Sequence, residues 1–234
     1  MLAIYRREMS AFFTSPIAYI FLAVFNVFAG LFLTQTCLTM KTTNMTLLFA
    51  NMFLILLFLI PILTMKLLSE EKKQRTDQCL LTSPASVLSI VMGKYLAALT
   101  VFLCAIAVFL IYAIILSAFS PIIWSVFFGN LIGIFLLGVA FISVGLFISS
   151  LTENQVIAAI GSFVVMMLMY LIDIFASTVS NTAIQAILFK LSLYQRYTEF
   201  TTGLLNISSI LFFISIAAIF NFLTVRVIER RRWN

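Results

Sequence analysis

From Tyr95 to Thr152 the chain carries no charged residue, and that run fixes the solvent in which it folds. A bilayer core about 30 Å thick takes roughly 20 apolar residues per helix, so the run is long enough for two crossings. Ser117-Ala118-Phe119-Ser120-Pro121 divides it, because proline favours a turn and cannot continue a helix. Met9 to Met40 and Thr42 to Met65 are also uncharged and hold one span each, near Ile17 to Thr36 and Leu47 to Met65. A fifth span is expected from about Gln155 to Ile172 and a sixth from about Asn206 to Val225. The runs are continuously apolar and do not alternate with polar residues, which excludes a closed barrel. The expected fold is an all-α polytopic membrane protein of six transmembrane helices, one domain over residues 1–234. Composition agrees: 9% of residues are charged, against about 25% in soluble domains.

Lysine and arginine orient such a bundle. With a cytoplasmic N-terminus, Arg6, Arg7, Lys66, Lys72, Lys73, Arg75, Lys94, Arg226, Arg230, Arg231 and Arg232 lie inside, and only Lys41, Lys190 and Arg196 lie outside. Both termini are therefore expected in the cytoplasm, and topology accounts for the net charge of +6 without nucleic acid. Arg6-Arg7 precedes an apolar run too long for a signal peptide, and no small-residue cleavage site follows, so the first helix is expected to stay. Cys37, Cys79 and Cys104 are isolated and suggest neither a disulfide framework nor a metal site.

The chain has no histidine, which removes the commonest general base and metal ligand. Asp173 is the one ionisable candidate inside the spans, and no second carboxylate stands beside it for aspartyl chemistry. Gly93-Lys94 lacks the earlier glycine and the following hydroxyl of a phosphate loop. No catalytic site and no bound cofactor or metal are expected. Energy for any movement would come from another subunit.

Thr64 to Pro84, TMKLLSEEKKQRTDQCLLTSP, is the exception to this apolar chain: it holds seven charged residues. Ser69 followed by Glu70 and Glu71 reads as a helix start, a hydroxyl cap with early carboxylates, and the helix is expected to reach Leu81. Ser83-Pro84 then restarts the chain towards Gly93-Lys94-Tyr95. A solvated loop carrying the topology signal is the bland alternative. Against it, carboxylates add little to topology, and Leu80-Leu81 would lie bare without a partner. At the N-terminus, Leu2, Tyr5, Met9, Phe12 and Phe13 repeat at helical spacing with Arg6, Arg7, Ser10 and Thr14 opposite, as in an interfacial helix that ends at Ser15-Pro16. The alternative is the frayed start of the first span.

Ser15-Pro16-Ile-Ala-Tyr19, Ile60-Pro61, Thr64 to Glu71, Thr76, Leu80 to Pro84, Gly93-Lys94-Tyr95 and Ser149 to Gln155 together resemble the permease subunits of ABC-2 type transporters. The tail from Phe200 and Gly203 to Trp233 is similar to the gliding-motility-associated branch. The resemblance implies a plasma-membrane exporter subunit, dimeric with itself or a related chain and set in membrane lipid. A separate cytoplasmic ATPase would hold ATP and Mg, and an extracytoplasmic auxiliary subunit could join the complex. The coupling segment would be 66–84, with Glu70, Glu71, Lys72, Arg75, Thr76, Leu80 and Leu81 as the ATPase-facing residues, beside an interfacial helix over 1–16 carrying Tyr5, Arg6, Arg7 and Glu8. The family pattern commonly places a glycine before the threonine, and Arg75 stands there instead.

Outside, the segment 176–205 could cap an exit path, with Asp173, Arg196 and Glu199 as gate residues, or form a plain interfacial loop anchored by Tyr194 and Tyr197. Two other classes remain open: a secondary transporter or channel, for which no convincing repeat joins the two halves, and a membrane anchor that drives an extracytoplasmic partner without transport. The residues do not select a substrate.

Overall fold

The computed structural model describes residues 1–75, 86–119, 121–178, 185, 188–190, 192–203 and 206–233, and among these all regular structure is helical. The described helices are α1 (Leu2–Thr14), α2 (Pro16–Phe32), α3 (Thr46–Thr64), α4 (Lys66–Lys73), α5 (Val87–Ile106), α6 (Val108–Ser117), α7 (Trp124–Leu151), α8 (Gln155–Thr178), α9 (Leu193–Thr201) and α10 (Ile207–Trp233). Six stretches are long and apolar enough to cross a membrane: Pro16–Leu38, Thr46–Lys73, Val87–Ser117, Trp124–Leu151, Gln155–Ala176 and Ile207–Arg231. The chain is a multi-pass membrane protein.

Local chemistry sets the boundaries. Extended Ser15 accepts from the Ile17 amide through its hydroxyl, and Pro16 opens α2 at the position where its missing N–H costs nothing. The first span closes in a wider π turn, Leu33–Leu38, where the Thr36 hydroxyl donates to the Phe32 carbonyl. Proline ends the third span as expected: α6 stops at Ser117 and α7 starts at Trp124, after Pro121. Ser86 caps α5 by accepting from the Ser89 amide, and the expected restart at Ser83-Pro84 lies outside the described residues. The sixth span does not stop near Val225, since α10 carries the basic tail onward as one helix.

α7 is the centre of the bundle. Two thirds of its most apolar window is buried (67%), against 17% for α8, so α8 turns most of its surface outward. Helices in lipid gain little from the hydrophobic effect and associate through close packing, which small residues permit. A Cβ at Gly138 would lie 2.0 Å from the Phe102 ring of α5, and one at Gly145 would lie 2.1 Å from Thr64 Oγ1 of α3. Phenylalanine fills the space between: Phe21, Phe25, Phe49, Phe53, Phe102, Phe109 and Phe141 are buried and several stack edge-on.

Charges gather at one end of the bundle, where α1, α4, the start of α5, the α7–α8 turn and the basic part of α10 meet; this is the charged end below. Gly138→Ala should lower stability by about 1–3 kcal/mol through overpacking. Gly30→Ala, whose nearest neighbour is the Tyr112 hydroxyl at 3.5 Å, should change nothing. Thermal unfolding in mild detergent, read by size exclusion, separates the two.

Candidate functional site

The charged insert differs from its sequence reading at both ends. Its helix α4 starts at Lys66, one residue after α3, and Ser69 is not its cap but a buried residue inside it whose hydroxyl donates to the Met65 carbonyl. The serine-glutamate rule fails because only Met65 separates α3 from α4, so Ser69 already lies inside a helix that starts at Lys66. The helix that starts at Lys66 ends at Lys73 with Gln74 as its C-cap, Arg75 has the left-handed backbone (φ 57°) that commonly closes a helix, and the expected course to Leu81 lies outside the described residues. Glycine adopts that conformation freely, whereas another L-residue costs about 1–2 kcal/mol there, so the glycine of the family pattern has a physical reason that Arg75 lacks. Thr76, Leu80 and Leu81 lie outside the described residues.

Four charges from three helices form a closed ring beside α4. Lys94 of α5, 1% exposed, places Nζ 3.0 Å from Glu8 Oε1 of α1 and 2.9 Å from Glu71 Oε1 of α4. Arg7 of α1 completes the ring by donating to Glu8 at 2.6 Å and to Glu71. Each cation meets both carboxylates and the ring has no net charge, which is the condition for holding ions at such burial. Burial works against the Arg7 charge, but the hydrogen bond to Glu8 and the negative charges of Glu71 and Glu8 hold this guanidinium above its ordinary range. A cleft of about 440 Å³ opens beside the ring, lined by Arg7, Phe12, Lys66, Glu70, Gln74 and Lys94 among others.

The ring also fixes how α1 packs. Glu8 and Phe12 are buried, Leu2 and Phe13 are exposed, and the apolar face is split. Two contacts pull the helix round: Gly93 leaves room for Ile4, whose Cγ2 would be 3.0 Å from a Cβ there, and the Tyr5 hydroxyl lies 3.1 Å from Thr100 Oγ1. Arg6 stays exposed. Sequence reasoning named Glu8 in the N-terminal helix and Lys94 as a topology signal, a rejected phosphate-loop lysine and part of the resemblance, and nothing local in the sequence shows that their side chains meet.

The last turn of α7 also grips α4. Ser149 Oγ accepts from the Leu68 and Ser69 amides at 3.2 and 3.1 Å and donates to the Met65 carbonyl at 3.0 Å. Lys72 Nζ donates to the Leu151 carbonyl at 3.4 Å and stands 3.9 Å from Glu153, while Arg231 of α10 donates to the Ser150 carbonyl at 3.0 Å. Cations thus meet the carbonyl end of α7, where the helix dipole favours them. Glu70 pairs loosely with Lys66 at 3.8 Å on the outer side of α4.

Compared with known protein families, the chain matches ABC-2 type transporter over residues 1–177. It belongs to that family. None of the curated proteins compared with it matches. The matched stretch contains the ion ring and the turn that grips α4. As an ABC-2 type chain it is a transmembrane component of an assembly that normally includes a separate ATP-binding subunit.

At the opposite end of this ABC-2 type chain, α9 lies beyond the matched residues. Asp173 accepts from the Ser192 hydroxyl at 2.9 Å, and Ser192 also caps α9 by accepting from the Gln195 amide. Arg196 donates to Ser208 and Ser209 and lies over the Phe212 ring, and Glu199 accepts from Ser209 and from Asn206. Arg196 and Glu199 therefore meet on Ser209, while Asp173 sits at the other end of α9. Tyr197 is no interfacial anchor: it is fully buried, its hydroxyl donates to the Phe49 carbonyl at 2.8 Å, and burial pushes its phenol well above the usual range.

Lys94→Met leaves the buried Glu8 and the half-buried Glu71 to one guanidinium and should cost about 3–5 kcal/mol. Adding Glu71→Gln restores the balance of Arg7 with Glu8 and should recover part of that loss. Thermal midpoints of the single and double variants in the same detergent decide it.

Proposed function

We propose that this chain is the membrane permease of an ATP-driven exporter, that two permease chains form the pathway, and that a separate cytoplasmic ATPase holding ATP and Mg docks on the segment 66–84. The observation that carries the reading is the placement of α4 at the charged end, tied to α1 and α5 by the ion ring and to α7 by Ser149. A push on this short helix reaches three other helices at once. Eleven of the 14 lysines and arginines fall in segments on the α4 side by sequence, which supports a cytoplasmic charged end in a plasma membrane. The resemblance of Ser15-Pro16 and of the Phe200 to Trp233 tail supports the gliding-motility-associated branch. The outward surface of α8 supports a second permease chain.

The ATPase-facing residues divide on this reading. Glu71 and Lys72 turn towards the ring and the end of α7 and transmit force, while Arg75 is exposed and Glu70 is half-buried, so these two meet the ATPase together with Thr76, Leu80 and Leu81. Glu70 is a cleaner probe than Glu71, whose reversal would also break the ring.

Glu70→Lys and Arg75→Glu should insert and express normally and reduce ATPase recovery about tenfold, the effect of a contact worth roughly 1.4 kcal/mol. The measurement is a mild-detergent pull-down with mass spectrometry and ATP hydrolysis. Undiminished association and turnover in both variants would remove the docking assignment, and absence of any ATPase from the wild-type preparation would remove the exporter reading.

A further inference from the structure

We propose that the Ser149 hydroxyl makes the joint between α3 and α4, so that α4 rides on α7 instead of extending the second span. The proposal rests on the reading of α4 as the ATPase-facing helix. The stretch from Thr46 to Lys73 is long, apolar and helical except at Met65, whose own backbone angles stay in the right-handed region (φ −55°, ψ −35°). Nothing in the angles of Met65 demands a break. The break lies in the hydrogen bonds: the Leu68 and Ser69 amides, which an uninterrupted helix turns back to Thr64 and Met65, donate to Ser149 Oγ, and the Met65 carbonyl accepts from Ser149 in return. A hydroxyl inserted into the i→i−4 ladder is a recognised cause of a helix kink.

Three further contacts place the wedge on α7 and join α4 to it. Gly145, one turn before Ser149, lets α7 press against Thr64, where a Cβ would come within 2.1 Å of the hydroxyl. Lys72, one turn beyond Ser69, reaches the last carbonyl of α7 at Leu151 and then Glu153. Ser149 itself is fully buried, so water does not compete for its hydroxyl. The same carbonyl of Met65 also takes the Ser69 hydroxyl, but that hydroxyl belongs to α4 itself and bonds one turn back along the same chain segment. Ser149 is thus a positioning residue: it acts through the backbone of Met65, Leu68 and Ser69, and it sets which span follows α4.

The test uses the full chain with its captured ATPase in lipid nanodiscs. Cys37, Cys79 and Cys104 are replaced, and spin labels are placed on exposed positions in two pairs, 73 with 128 across α4 and α7, and 73 with 47 along α3 and α4. Pulsed electron resonance gives both distances at rest and in the ATP-vanadate trap. In the wild type the 73–128 distance should hold while the 73–47 distance changes. In Ser149→Ala the ladder closes: the 73–47 distance should lengthen towards about 39 Å, the length of 26 uninterrupted helical steps, and lose its response to ATP-vanadate. Ser149→Thr, which keeps a hydroxyl, should restore the wild-type pattern, and Ser69→Ala should not disturb it. Rescue by threonine sets this role apart from simple packing.

Distances in Ser149→Ala identical to the wild type overturn the proposal, as does a wild-type 73–47 distance that stays fixed while 73–128 changes. If no ATPase is captured at all, the exporter reading falls, and the resting 73–47 distance still decides the joint: a shift in Ser149→Ala supports it and no shift overturns it.

Discussion

A buried ammonium needs carboxylates within reach, and Lys94 takes its two from different helices: Glu8 of α1 and Glu71 of α4. That requirement organises the charged end. It turns Glu8 of α1 inward at the expense of Leu2 and Phe13, and it holds the α4 side chain Glu71 against the start of α5. Arg7 balances the second carboxylate, so the ring closes with no charge left over. Loss of one member strands another, which makes the ring cooperative: α1, α4 and α5 are held together or released together.

Deeper in the bundle the joining force changes kind. Gly138 and Gly145 let α7 touch α5 and α3 at distances that forbid any side chain, and the phenylalanines close the remaining space. Such contact is steep in distance, so it fixes position without fixing polarity. The charged end depends on it, because Gly145 sets the depth at which Ser149 meets the Met65 carbonyl. Overpacking at α7 would therefore reach α4 without touching a single charge there.

Most of the fold was legible because lipid imposes a simple rule: uncharged runs of sufficient length become helices, and Pro16 and Pro121 mark where two of them begin. The site was legible only in part. Glu70 and Arg75 stood out by composition, but the serine-glutamate start at Ser69 is a local rule that loses to a helix already begun at Lys66. The burial of Glu8 in α1 was not legible, since its partner Lys94 lies in α5, 86 residues on. Ser149 was illegible as a cap because its partners are 80 residues away or more. Tyr197 resembled an interfacial anchor until its hydroxyl met a main-chain carbonyl inside the core.

Tyr197 has a mechanical meaning as well. Its hydroxyl holds α3 near one end through Phe49, and Ser149 holds the chain just past the other end through Met65. The second span is therefore tethered at both membrane surfaces by side chains of other helices. A piston stroke along its axis would break one tether or the other, each worth about 1 kcal/mol, together with the packing around it. Rotation and tilt leave both bonds in place. The second span is built as an axle, about which neighbouring helices can rock, and not as a rod that slides.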